Sequence, residues 1–434
     1  MSYRDSFFSH VLVIGTNRYL DEYLNSYIGE IRYMEGILKE KVPFIVVEES
    51  DALTEQKNRE LIEKLRIENP DIILVHFDSN DQKSYFKYFI DKGISKEVVD
   101  LLDFKGLSYG RVMNKQFLIA ATFGADYVHR RDSDTKVADE FGFPSEMELK
   151  FLGRKVFEAD CLLNDTSHNF NKDNEIYMVG SGYSGGGDWK IDYSLFLPDD
   201  SVLIMEINKL LGYSDELSTI YYSEITTKSN VVREAAKYLP YENHSNPDCG
   251  NISFYKIHRM LPCPPMKNTT GTDYFAVNVL KSLGFPVIYH NHFVFHEFTP
   301  DRKKDNIDYA MNYWPRVVNL MDYCDAFAMD IFSKLKQKKD NCITVEDADT
   351  KNLLKEFGEK DGQESIKRKE KIYKFGEVFT RAGNSILKDV GELLKTIGFQ
   401  EGIINNSNSG FENHKTLLEL WPDLVSIAEG YNFG

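Results

Sequence analysis

A chain of 434 residues is longer than one ordinary hydrophobic core organises, so two domains are expected. Its 42% hydrophobic and 28% charged residues describe a globular protein and exclude a disordered one. A net charge of −16, with no long Lys/Arg block, argues against nucleic-acid binding, so any phosphate must meet positive charge placed locally, on a few Arg and Lys or on a metal ion.

The elements follow in chain order. Val11–Ile14 is a short apolar run that reads as a buried strand leaving into Gly15-Thr16-Asn17. Residues 19–40 carry helical spacing through Leu20, Leu24, Tyr27, Ile31 and Met34. Phe44–Val47 is a second strand, followed by the acidic loop Glu48-Glu49-Ser50-Asp51. A helix over 53–67 closes at Pro70, and Ile72–Val75 is a third strand. One or two helices fill 82–103, and another runs from Gly110 to Phe123. Asp126–His129 is a fourth strand that feeds the loop Arg130-Arg131-Asp132-Ser133-Asp134. Apolar strands alternating with helices imply an α/β fold with a mostly parallel sheet covered on both faces. Ligands of such sheets sit at the carboxyl ends of the strands, where all these polar loops lie.

Further on, Ile176–Val179 leads into a glycine-rich loop over 180–188, and Phe285–His296 holds another strand. Residues 308–434 read as mainly helical, interrupted by an exposed charged connection over Lys334–Lys371. The five cysteines are odd in number and lack a Cys-x-x-Cys, so reduced thiols in a cytoplasmic protein are expected. The start of the chain is polar, unlike a signal peptide, and no run of about 18 apolar residues offers a membrane span. The 25 Tyr and 29 Phe either fill an aromatic core or line a groove.

Asp132-Ser133-Asp134 carries the sharpest chemistry. Two carboxylates two residues apart beyond a buried strand suit Mn2+ or Mg2+ bridging diphosphate oxygens, although Asp and Ser also form ordinary solvated turns. Arg130 and Arg131 either contact phosphates bidentately or pair with the neighbouring aspartates. Arg111 and Asn114, one helical turn apart, either reach a nucleotide or sit on a plain first turn. Thr16 and Arg18 carry the same ambiguity, since a Thr there also suits a helix cap. The glycine-rich loop lets backbone N–H groups approach a phosphate or sugar, with Asp188 and Trp189 beside it, or is simply a surface loop. It lacks the Gly-Lys-Ser/Thr of a Walker A loop, and its Gly-x-Ser-x-Gly letters precede a poor helix start. His290, His292 and His296 fall at strand spacing, a weak zinc signal.

The order of these motifs over residues 10–298 resembles the family-2-like branch of the GT-A glycosyltransferases. The block from Gly110-Arg111 through Ala120-Ala121 and Asp126–His129 to Asp132-Ser133-Asp134 matches that family's central signature, and Gly271-Thr272-Asp273 before a helix, with a late His296, matches its closing one. The resemblance implies a GT-A domain over 1–300, with a nucleotide-binding half to 140, an acceptor-binding half over 141–300, and a helical region over 301–434. It implies that Asp132, Asp134 and His296 hold Mn2+ or Mg2+, with His292 competing for the last place. Thr16, Arg18, Glu49, Arg111, Asn114, Arg131 and Asp132 would surround a nucleoside-diphosphate sugar. Asp273 would be the base toward a hydroxyl or amine acceptor, although Thr272 departs from the Glu usual there. Self-association would fall to the C-terminal helices. A sugar nucleotidyltransferase and a catalytically inactive GT-A-like binding protein are the alternatives. The first lacks its expected Gly-rich basic loop after Val13-Ile14.

Overall fold

The computed structural model describes residues 8–20, 23–138, 140–164, 166–185, 200–216, 218–219, 236–239, 246–296, 307–338, 345, 350–356 and 362–433. The first half alternates as expected: β1 (His10–Thr16), α1 (Tyr23–Leu38), β2 (Phe44–Glu48), α2 (Ala52–Glu68), β3 (Leu74–Phe77), α3 (Ser79–Asp91), α4 (Lys96–Leu102), α5 (Tyr109–Thr122) and β4 (Tyr127–Asp132). There follow β5 (Thr135–Val137), α6 (Pro144–Phe151), α7 (Val156–Leu163), β6 (Met178–Gly180), β7 (Tyr183–Gly185), β8 (Ala236–Tyr238), β9 (Asn251–Tyr255), β10 (Val287–His290) and β11 (Val294–His296).

Eight strands form one sheet in the order β3-β2-β1-β4-β9-β6-β10-β8, and β5-β11-β7 form a small second sheet. Strands β3, β2, β1 and β4 are mutually parallel, as are β6 and β10. Strand β9 runs antiparallel to both its neighbours, and β8 antiparallel to β10, so the sheet is mixed. From β1 the chain moves outward to β2 and β3, then returns to place β4 on the other side of β1. The carboxyl ends of β1 and β4 therefore flank a topological switch point, where open α/β sheets offer a crevice.

The period of two along each strand divides the core. Val11, Val13, Ile45 and Val47 face one layer with Phe117 and Ala120 of α5, whereas Leu12, Ile14, Phe44 and Val46 face the other with Leu24, Tyr27 and Ile31 of α1. Acidic residues at strand ends serve as helix caps. Asp51 accepts from the Leu53 and Thr54 amides, both at 3.0 Å, and Asp78 from those of Asn80 and Asp81. The third strand starts two residues later than its apolar run implies, because the Ile72 amide bonds Asn69 O at 3.1 Å and closes a turn after Pro70.

The 33-residue helix Ile397–Glu429 packs on α5 and belongs to the sheet's own core through Phe411, Leu417, Trp421 and Leu424. Trp421 Nε1 donates to His258 O at 2.9 Å, and the Phe433 ring beyond the helix lies 5.4 Å from that of Phe123. A second cluster joins this helix to Ile307–Tyr323, Gly362–Arg381 and Ser385–Lys395 through Trp314, Val318, Phe375, Phe379 and Ile403. The described part of Lys334–Lys371 is helical, and the stretches between its helices lie mostly outside the described residues. It forms parts of Met329–Lys338 and Gly362–Arg381 and all of Thr350–Glu356, and its Arg368 makes a buried 2.6 Å ion pair with Asp322. Among the described residues no helix is long and apolar enough to cross a membrane.

Candidate functional site at the β1–β4 switch point

Strand β4 continues through Asp132, so Arg130 and Arg131 are strand residues rather than loop residues, and their side chains go to opposite faces of the sheet. Arg131 turns toward α1 and α6. Its Nη2 lies 2.7 Å from Glu30 Oε1 and 2.8 Å from Glu148 Oε2, and all three side chains are 0% exposed. His129 Nδ1 lies 2.8 Å from Glu148 Oε2, and His129 Nε2 lies 3.0 Å from His10 Nδ1. Burial pushes the Glu148 carboxyl up, but Arg131 and His129 more than offset this and hold it well below the ordinary carboxylate range. Burial and the neighbouring His129 lower His10 to about 2, so it is neutral. Arg131 is thus joined to this internal network and not to Asp132.

Arg130 faces the α5 layer, on the same side as Asp132. Its Nε donates to Gln116 Oε1 at 3.1 Å, its Nη1 donates to Cys249 O, and its Nη2 lies 3.1 Å from Asp132 Oδ1 and 3.4 Å from Asp273 Oδ2. Asp273 is the middle residue of the short turn Thr272–Tyr274, which leads directly into the helix Phe275–Ser282. Burial pushes its carboxyl up against the opposing pull of Arg130. Tyr183 Oη, in the glycine-rich segment, donates to Asp132 Oδ2 at 2.6 Å and accepts from the Gly250 amide at 3.1 Å. Gly250 is packed so tightly that a Cβ there would lie 2.2 Å from both Asp132 Oδ2 and Tyr183 Oη. Gly250→Ala should therefore push Asp132 out of place and cost about 1–3 kcal/mol of stability in a denaturant titration; unchanged stability would contradict this packing.

Asp134, in the turn after β4, is 4% exposed. Its Oδ2 lies 2.9 Å from Arg18 Nη1 and 3.4 Å from His296 Nε2. His296 ends β11, and its ring stacks on Tyr183 with centroids 5.0 Å apart, so Tyr183 bridges Asp132 to the Asp134–His296 pair. Thr16 Oγ1 is a local organiser: it donates to Arg18 O at 2.8 Å and accepts from the Arg18 amide at 3.2 Å.

Other expected residues stand apart from this group. Glu49, just past β2, lies 2.6 Å from Arg111 Nη2 and 2.9 Å from Lys115 Nζ, which also reaches Asp103 at 2.9 Å. Asn114 is wholly buried and exchanges two bonds with the Cys263 backbone, at 2.8 and 2.7 Å, which ties α5 to the segment before Asp273. The histidines near the chain's last strands do not converge. The turn Asn291–Phe293 separates β10 from β11; His290 Nδ1 accepts from the His292 amide, and His292 Nδ1 lies 2.9 Å from Phe143 O. Asp188 and Trp189 lie outside the described residues. Sequence patterns overlooked Tyr183, Gln116, Lys115 and Gly250; their signal is burial of polar groups around a strand end, which no local motif carries.

Carboxylate oxygens and one imidazole are donor types that fit Mn2+ or Mg2+. Among the described residues, however, no three His, Cys, Asp or Glu side chains converge on one point. Asp132 faces Arg130 and Asp134 faces Arg18, so guanidiniums stand against both carboxylates. No curated protein matches the chain. A family profile matches residues 9–433, which is nearly the whole length and includes every residue of the site. The chain therefore belongs to the Family of unknown function (DUF6271).

Proposed function

We propose that this protein is a metal-dependent glycosyltransferase, moving a sugar from a nucleoside-diphosphate donor to a hydroxyl or amine acceptor, with its centre between the carboxyl ends of β1 and β4. One observation carries the reading: two carboxylates, two guanidiniums and an imidazole gather at the switch point of a largely parallel sheet. Asp132, Asp134 and His296 would hold Mn2+ or Mg2+, which supplies Lewis acidity for the departing diphosphate.

The chain's own residues do the rest. Arg130 is fixed by Gln116 and Cys249 and presents a permanent positive charge, which Asp132 and Asp273 strengthen against the opposing effect of burial. Such an immobile cation stabilises developing phosphate charge without reorganisation. Arg18, Glu49 and Arg111 lie around the β1 and β2 ends, where a nucleotide would rest. In transfer, the bond from the anomeric carbon to the diphosphate oxygen breaks and a bond to the acceptor oxygen or nitrogen forms. Asp273 takes the acceptor proton if the centre inverts, and burial raises its carboxyl above the ordinary range, the direction that strengthens a base.

A turnover assay with a panel of nucleoside-diphosphate sugars and triphosphates tests the reading. Cation-dependent release of nucleoside diphosphate, even by slow donor hydrolysis, is expected. Pyrophosphate release from a triphosphate would replace transfer with nucleotidyl chemistry, and no binding of any nucleotide would leave a non-catalytic scaffold.

A further inference from the structure

Arg18 and Arg130 oppose the same acidic group in different ways. Arg130 is buried and held at three nitrogens. Arg18 sits on the loop after β1 with its side chain 22% exposed, and its contact with Asp134 is an ion pair without hydrogen-bond alignment. Its Nε is buried without a hydrogen-bond partner. Its backbone, in contrast, is fixed: the carbonyl accepts from Thr16 Oγ1 at 2.8 Å and from Asn58 Nδ2 at 2.9 Å. Two of its three guanidinium nitrogens thus lack a hydrogen-bond partner, while the backbone beneath them is held. Such an ion pair lacks the part of a charge-assisted hydrogen bond that alignment supplies.

On the reading of Asp132 and Asp134 as a cation seat, we propose that Arg18 is an exchangeable counter-ion: it pairs with Asp134, yields that carboxylate when a divalent cation arrives, and turns its guanidinium to the diphosphate. Charge balance favours the exchange. Two guanidiniums face three carboxylates, so with all of them ionised the group carries one net negative charge, which repels a diphosphate. A divalent cation reverses the sign, and Arg18, no longer bound to Asp134, adds a planar fork suited to phosphate oxygens. A buried amide beside Arg130 also has donor capacity to spare. Gln116 is wholly buried with Nε2 unpartnered, 3.0 Å from where a Cβ on Gly15 would stand. Arg18 is thus a positioning residue that couples cation and nucleotide binding.

The test is Mn2+ binding, followed by the electron paramagnetic resonance signal of free Mn2+, on the full chain with and without UDP or GDP. In the wild type, the diphosphate should tighten Mn2+ about tenfold, within the usual range of such couplings. Arg18→Gln should bind Mn2+ alone about tenfold more tightly than wild type, bind diphosphate more weakly, and lose most of the coupling. Arg18→Lys, which keeps the charge, should stay near wild type for Mn2+ alone; unchanged melting temperatures verify the fold of both. If the wild type binds Mn2+ and Arg18→Gln binds it equally or less well, the exchange is wrong while the cation seat stands. If neither protein binds Mn2+ under any condition, the seat itself is wrong and the exchange falls with it.

Discussion

Arg131→Met should destabilise the protein by about 3–5 kcal/mol, the usual cost of removing one partner from a buried ion pair. The reason lies in what remains. Glu30 and Glu148 would stay wholly buried within reach of one another with no cation between them. The effect should depend on pH in a defined direction. In the wild type Glu148 is held below its ordinary value, so its contribution to stability is present above the normal carboxylate range and is lost as pH falls through the depressed value. In the variant the two facing carboxylates gain from protonation instead. The stability gap between wild type and variant, measured by denaturant titration, should therefore narrow between neutral pH and the onset of acid unfolding; a gap that widens on acidification would contradict the network. Replacing the three residues together (Glu30→Leu, Arg131→Met, Glu148→Leu) should recover much of the loss, because removing all the charges also removes their desolvation.

Asp134→Asn should lower turnover about 100-fold, or about 3 kcal/mol of transition-state stabilisation, in Mn2+ buffer. The amide is nearly the same shape, so Arg18 and His296 keep their neighbour while the carboxylate's charge is lost. Fold stability should change far less than activity, which separates this variant from Arg131→Met. Equal turnover in the two proteins, under conditions where the wild type is active, would remove Asp134 from the chemistry.

The contrast between these variants shows how far the sequence speaks. Strands β1 and β2 were legible because buried parallel strands read as unbroken apolar runs, and α5 because its apolar spacing ends at Gly124. Strand β4 was read too short. Two consecutive arginines look like loop, and the carboxylates that make Arg131 tolerable come from α1, 101 positions earlier, and α6, 17 positions later. Once the strand is extended to Asp132, alternation alone sends Arg131 inward and Arg130 to the site. Asp132 and Asp134 stood out in the sequence as paired carboxylates beyond a strand, whereas His296 was singled out through resemblance to a family's motif order. Tyr183, which joins them, lay in a glycine-rich stretch where a short strand has no periodicity to display. The docking of Ile397–Glu429 was equally hidden, since an amphipathic spacing says that a face is covered but not by what.

Isothermal calorimetry of UDP and GDP binding, with Mn2+ and with the cation removed by chelation, tests the central claim most directly. The account predicts that at least one diphosphate binds with Mn2+ present and that chelation weakens it tenfold or more, within the range of ordinary coupling energies. Binding of the same strength with and without the cation, or binding that survives unchanged in Asp134→Asn, would contradict it.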